Sequence, residues 1–194
     1  MHLIAVTFLR SVRQVCLVAL VLLAGCGGPG SRLPWLQDSH PPDYSLGPGD
    51  QVRIITYGEE NLTGEFRVND VGNISLPLVG TVHAAGLTSS GLEAAVAAAL
   101  RRGDLVRRAS VAVEVVGYRS IYVLGEVNKP GQYGYQPGMT VLSAVALAGG
   151  FTYRAIDDYV AIVRSSDGKA AEARANSQAF VQPGDVIKVF ERRF

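Results

Sequence analysis

Cysteine and histidine are scarce in this chain, and each shortage narrows the chemistry open to it. There are two cysteines, Cys16 and Cys26, and Cys16 lies in an amino-terminal apolar segment that reads as removable. No disulfide framework is then available, even if the compartment permits one. Of the three histidines, His40 and His83 lie beyond that segment. His40 falls in a Pro-rich stretch and His83 on an expected strand, which suits structural or exposed roles. Neither sign of charge dominates: 18 basic residues stand against 17 acidic, and without Arg10 and Arg13 the basic count is 16. Such a balance makes no broad basic field for nucleic acid or anionic lipid. Past the amino terminus no run approaches the roughly 20 apolar residues of a membrane span. HExxH, paired CxxC, GxSxG, Walker and GxGxxG patterns are all missing. The carboxylates Glu59-Glu60, Asp70, Glu126 and Asp157-Asp158 would have to meet within about 5–10 Å across a sugar to act as a glycosidase pair. Asp70 sits in turn chemistry and Asp157-Asp158 in an expected loop, so solvated roles fit them better. The expectation is a protein without catalysis, metal or cofactor.

What is present begins at the amino terminus. Arg10 and Arg13 precede an apolar run from Val15 to Leu23, which is short for a span and closes on small residues. Leu23-Ala24-Gly25-Cys26 resembles a bacterial lipobox; an ordinary secretory signal with an unrelated cysteine is the other reading. The lipobox resemblance implies a signal peptide over 1–25 and acylation of Cys26. Each acyl chain contributes about 0.8 kcal/mol per buried methylene, so several chains anchor firmly. Gly27, where an aspartate would favour the inner membrane in enteric-type bacteria, implies the outer one. Residues 26–43 are rich in Gly, Pro and Ser and read as a lipidated tether. Trp35, within it, suits either the membrane interface or a dock on the first domain.

Gly47-Pro48-Gly49-Asp50 is strong turn chemistry, and Val52, Ile54 and Thr56 alternate after it as a strand. Further strands fit residues 64–68 and 73–76, joined by Asn69-Asp70-Val71-Gly72, and Pro77 suggests a strand's end. A helix follows. Ser90 and Glu93 have capping-box spacing, with Thr88 an alternative cap, and Leu92, Ala95, Val96, Ala99 and Leu100 form one stripe. Arg101 and Arg102 suit its carboxyl end, and Gly103 can terminate it. Residues 110–116 alternate as another strand.

Ile121, Val123 and Gly125 alternate with Tyr122, Leu124 and Glu126. Asn128-Lys129-Pro130-Gly131 reads as a turn with Gly131 at a positive φ, followed by a returning strand over 132–135. Thr140 caps a helix with Val141, Leu142, Val145 and Ala148 on one face, and Gly149-Gly150 stops it. Residues 159–164 read as a strand and Ser166-Asp167-Gly168-Lys169 as a hairpin turn. Gln182-Pro183-Gly184-Asp185 and the strand after it echo Gly47-Pro48-Gly49-Asp50. Two similar turn-into-strand units, or two independent uses of a good turn, both explain the echo. Tyr118, Tyr122, Tyr133, Tyr135 and Tyr153 can stack on sugars, fill subunit interfaces, or serve as core and edge residues.

Two resemblances rest on these motifs. Gly125-Glu126-Val127, Pro130-Gly131 and Ala146-Leu147-Ala148-Gly149-Gly150 resemble the soluble-ligand-binding β-grasp (SLBB) module. Tyr44, Leu46-Gly47-Pro48-Gly49-Asp50, Asn73 to Gly80 and Ala85-Gly86-Leu87-Thr88 resemble the polysaccharide export domain of outer-membrane export lipoproteins, in which an SLBB module follows. The resemblance implies an α+β chain: a small β-rich export domain with one main helix over 44–117, then an SLBB β-grasp domain over 118–194. It implies a ring-shaped homo-oligomer on the periplasmic side of the outer membrane, carrying capsular or exopolysaccharide and working with an inner-membrane polysaccharide co-polymerase. A lipid-anchored glycan- or peptidoglycan-binding module without a channel is the alternative. Longer members of the family continue into an amphipathic pore helix. The strand-like run from Val186 to Phe194 leaves no room for one, so a separate outer-membrane pore partner is expected.

Overall fold

The computed structural model describes residues 28–36, 44–103, 110–166 and 168–192. Cys26, His40 and Asp167 lie outside them. The chain divides into two compact units, residues 1–32 with 193–194, and residues 33–192. In the first, the described residues hold a turn closed by the Ser31 N–H on the Gly28 carbonyl at 3.0 Å. Every strand and helix described below belongs to the second.

Its amino-terminal half is built on β1 (Gln51–Thr56), flanked by β2 (Gly64–Arg67) and β5 (Val111–Gly117) in an antiparallel sheet of order β2-β1-β5. A hairpin of β3 (Asn73–Leu76) and β4 (Gly80–His83) stands beside it. Val52, Ile54 and Thr56 all point into the core, as their period of two requires. Helix α1 (Ser89–Arg102) buries Leu92, Val96, Ala99 and Leu100 against the same core. Thr88 is its cap, accepting from the Gly91 N–H. Glu93 does not complete a capping box with Ser90. Its carboxylate instead accepts the Val113 N–H at 3.0 Å, pinning α1 to β5. Gly103 ends the helix at a φ of −78°, so any residue could adopt its backbone.

The second half is a five-stranded mixed sheet of order β7-β6-β10-β8-β9, with α2 (Val141–Leu147) on one face. Its strands are β6 (Ile121–Gly125), β7 (Gly131–Tyr133), β8 (Val160–Ser166), β9 (Lys169–Ala175) and β10 (Val186–Val189). β10 lies parallel to β6 and antiparallel to β8. Ile121, Val123, Ile162 and Ile187 meet Val141, Ala144, Val145 and Ala148 in a second core. Burial of that many aliphatic side chains at about 2 kcal/mol each is what holds the half together. The arrangement is α+β, as expected.

Three expectations need correction here. Leu142 is 48% exposed, and Ala144 takes its place on the buried face of α2. At 100° per residue, Val141, Ala144, Val145 and Ala148 make the narrower stripe. Gly131 is not at positive φ; it opens β7 opposite Val123. The left-handed conformation falls on Gly125 instead, at +87°. Trp35 does not dock on the first half; it lies against β9 of the second sheet.

Candidate functional site

Two turns with the same construction stand at the starts of β1 and β10. In the first, the Asp50 N–H donates to the Gly47 carbonyl at 3.1 Å and Gly49 takes a φ of +97°. In the second, the Asp185 N–H donates to the Gln182 carbonyl at 3.0 Å and Gly184 takes +90°. Proline followed by a positive-φ glycine is the type II turn, and the echo in the sequence is an echo in structure. Both aspartates fold back on their own turns. The Gly47 N–H donates to Asp50 Oδ2 at 2.7 Å, and the Gln182 N–H to Asp185 Oδ2 at 2.7 Å. The two side chains are 0% and 1% exposed.

A carboxylate so far from water needs a cation, and each has one arginine from far along the chain. On β8, Arg164 grips Asp185 through two parallel bonds, Nε to Oδ1 at 3.0 Å and Nη2 to Oδ2 at 2.9 Å. Arg119 lies in the link between β5 and β6. Its backbone N–H donates to Asp50 Oδ1 at 3.1 Å, and its Nε stands 3.4 Å from the same oxygen, in ion-pair range but not aligned as a hydrogen bond. The Tyr44 hydroxyl donates to Asp50 Oδ2 and accepts from Arg119 Nη2 at 3.4 Å. Burial, then the hydrogen bond to Asp50 and the charge of that carboxylate, push the Tyr44 phenol well above its ordinary range, so it remains a donor. A Cβ at Gly47 would stand 2.3 Å from Arg119 Nη1, and one at Gly184 would meet Arg119 Cδ at 3.9 Å. Arg119 therefore lies against both turns, joining the two halves at one buried carboxylate.

Beside this contact runs an open groove of about 660 Å³, with Tyr44, Arg119, Tyr135, His83, Asp70 and Gln182 among its walls. Tyr44, Tyr118 and Tyr135 meet edge to face, at centroid distances of 5.1 and 5.4 Å. Burial raises the Tyr135 phenol as well. Aromatic edges, hydroxyls, an amide and one cation suit a hydroxylated ligand held by stacking and hydrogen bonds.

The glycine and proline signatures sort into two places. Gly47, Pro48, Gly49 and Asp50 form the first turn, at the groove. Gly125, Pro130, Gly131, Gly149 and Gly150 gather at the far end of α2. There the Asn128 amide donates to the Gly149 carbonyl at 2.8 Å, the Asn128 N–H to Gly150 at 3.0 Å and the Lys129 N–H to Ala148 at 2.8 Å. The Asn-Lys-Pro-Gly turn thus satisfies the carbonyl of the helix C-cap, Ala148, and the two that follow it. Gly149 and Gly150 take φ of +80° and +84°. A Cβ on Gly125 would come within 2.1 Å of the Val189 carbonyl oxygen, so only glycine lets β6 and β10 run this close. These residues shape the fold at the carboxyl end of α2.

Of the other residues weighed for chemistry, Asp70 and His83 both line the groove. His83 faces the Asn73 amide at 2.9 Å, Asp157 pairs with Arg192 at 3.3 Å and Glu126 accepts from Thr152 at 2.5 Å. Among the described residues, no three His, Cys, Asp or Glu side chains stand together as metal ligands. No described helix is long and apolar enough to cross a membrane. Sequence reading missed Arg119 and Arg164. They stand 69 and 21 residues from their aspartates, beyond any local pattern. The repeated Pro-Gly-Asp was the available signal.

Comparison with known proteins follows the same division. Residues 38–116 match the family described as polysaccharide biosynthesis/export protein, and residues 120–171 match the SLBB domain. The chain is 33% identical over 146 residues to the exopolysaccharide production protein ExoF of Rhizobium meliloti (strain 1021), covering 70% of this chain and 34% of that one. It is 34% identical over 113 residues to the polysialic acid transport protein KpsD of Escherichia coli, covering 56% and 20%. Against the EPS I polysaccharide export outer membrane protein EpsA of Ralstonia solanacearum it is 28% identical over 174 residues, covering 75% and 45%. The matched stretch is less than half of each of these relatives. Joined through Arg119, the two halves carry a polysaccharide biosynthesis/export domain match over residues 38–116 and an SLBB domain match over 120–171, and the chain is related to polysaccharide export proteins.

Proposed function

We propose that this protein is a non-catalytic component of a capsular or exopolysaccharide export path, held on the periplasmic side of the outer membrane by acyl chains on Cys26. Residues 44–117 act as its export domain and 118–194 as its SLBB domain, and copies assemble into a ring around the exported chain, in line with an inner-membrane co-polymerase. The observation that carries this reading is the junction itself. The export and SLBB halves share one buried carboxylate cluster beside an aromatic, hydroxyl-rich groove, in a chain whose relatives are named for export of polysaccharide. The groove's tyrosines and Arg119 suit passing contacts with sugar rings and acidic substituents. Deleting the protein should abolish surface polysaccharide, and the wild-type chain should restore it. Normal surface polymer in the deletion strain would refute the export role. The mass of the acylated protein in mild detergent tests the ring separately, and a monomer that still binds glycan would favour the channel-free binding module.

A further inference from the structure

The stretch from Leu33 to Leu36 adds itself to the edge of the second sheet. The Arg174 N–H donates to the Pro34 carbonyl at 2.7 Å, and the Leu36 N–H to the Arg174 carbonyl at 2.7 Å. Arg174 also donates from Nε to the Leu33 carbonyl at 3.2 Å. Its guanidinium stacks 4.5 Å from the Trp35 centroid and 5.6 Å from that of Tyr159. Trp35 meets Tyr159 edge-on at 6.5 Å, Tyr159 lies 5.9 Å from Phe190, and the Lys188 ammonium sits 5.6 Å from the Phe190 ring.

The strand registers show that these groups share one face. Leu124, Lys188, Ala161 and Arg174 form a row across β6, β10, β8 and β9, and Tyr122, Val186, Val163 and Glu172 form the next. The opposite parity carries Ile121, Val123, Ile162 and Ile187 into the core with α2, so no described helix covers this face. Trp35 is 50% exposed, Leu124 45% and Tyr122 42%. Among the described residues no carboxylate ion-pairs with Arg174 or Lys188, and Glu172 is the one acid in the two rows.

Exposed tryptophan, tyrosine and leucine interleaved with unpaired cations is the composition of a surface at headgroup depth. There aromatic rings sit between water and acyl chains, and Lys and Arg meet lipid phosphates. Chain length adds a second argument. Nine peptide steps separate Cys26 from Trp35, so an acyl anchor cannot stand more than about 30 Å from the docked tryptophan. We propose that this face of the second sheet, with Trp35, Tyr122, Leu124, Arg174 and Lys188, rests on the phospholipid leaflet that holds the anchor. The strapped segment at β9 sets that orientation. The inference rests on the reading of Cys26 as the lipidation site.

Trp35 is the chain's single tryptophan, which makes the test direct. Protein purified from membranes is placed in vesicles of phosphatidylethanolamine and phosphatidylglycerol, with or without brominated acyl chains. Trp35 emission should fall about twofold in the brominated vesicles, as for a ring at headgroup depth. Lys188→Glu should weaken that quenching while leaving the circular dichroism unchanged. Equal emission in both vesicles overturns the proposal. So does lipid-free shielding of Trp35 from iodide that rises with protein concentration, which would assign the face to a second copy. Mass spectrometry of Cys26 in the same sample reads the anchor independently. Quenching without acylation keeps the membrane face and removes the anchor; acylation without quenching does the reverse; neither removes both.

Discussion

The two Pro-Gly-Asp turns use one local construction for different ends. At Asp185 the cation comes from β8, next to β10 in the same sheet, and grips both carboxylate oxygens in parallel. At Asp50 it comes from Arg119, in the link to the other half, and the contact is looser: one backbone N–H, an ion pair at 3.4 Å, and a tyrosine hydroxyl. The second turn therefore staples one sheet to itself, while the first joins two halves. The residue opening each turn follows from this. Position 182 is glutamine, whereas a side chain at position 47 would meet the Arg119 guanidinium, which would have to move to admit it. A repeated motif thus shows where a buried carboxylate will be, and its partner decides whether the site is internal strength or a joint.

Removing the carboxylates should separate the two roles. Asp185→Ala leaves Arg164 partly buried without its bidentate partner and should cost about 4 kcal/mol in chemical denaturation. Asp50→Ala should cost about 3 kcal/mol, less because Arg119 keeps more access to water. It should also make the 118–120 link newly sensitive to protease; equal protease resistance in both variants would erase the distinction. Exchanging the opening residues is a gentler probe. Gly47→Gln must displace Arg119 and should destabilise by about 2 kcal/mol. The reciprocal Gln182→Gly should cost under about 1 kcal/mol.

Alkaline titration tests Tyr44 alone. Its phenol is held above the ordinary value of about 10, so above that pH the unfolded chain loses this proton first. The stabilisation is complete below pH 10 and declines as pH climbs toward the folded value, and Tyr44→Phe should flatten that decline. Identical slopes would show that the hydroxyl does not hold its proton for Asp50. Smallest of all, Gly131→Val should change stability by no more than about 0.5 kcal/mol. Its backbone is ordinary strand and the nearest atom to a new Cβ is 3.9 Å away. A large loss there would restore the positive-φ turn.

Much of this was legible from local patterns. Thr140, Gly149 and Gly150 mark the ends of α2 because caps and left-handed stops are chemistry of adjacent residues. Val52, Ile54 and Thr56 declare their face because a strand alternates strictly. Leu142 misled because a short helix of small residues offers more than one apolar stripe, and packing against the sheet selects among them. Gly131 misled because Pro-Gly suits a type II turn, while pairing with Val123 draws the glycine into β7.

Sequence alone determined the α+β class, the turn-into-strand echo and the Thr140 cap of α2, since each depends on neighbours a few residues apart. Tertiary structure decided what the echo is for, and where Trp35 goes. Arg119 reaches Asp50 across 69 residues, and Trp35 reaches Arg174 across 139. No periodicity carries such pairings. They follow from which sheet edge is left open and which carboxylate is buried, and both are settled only when the strands have taken their order.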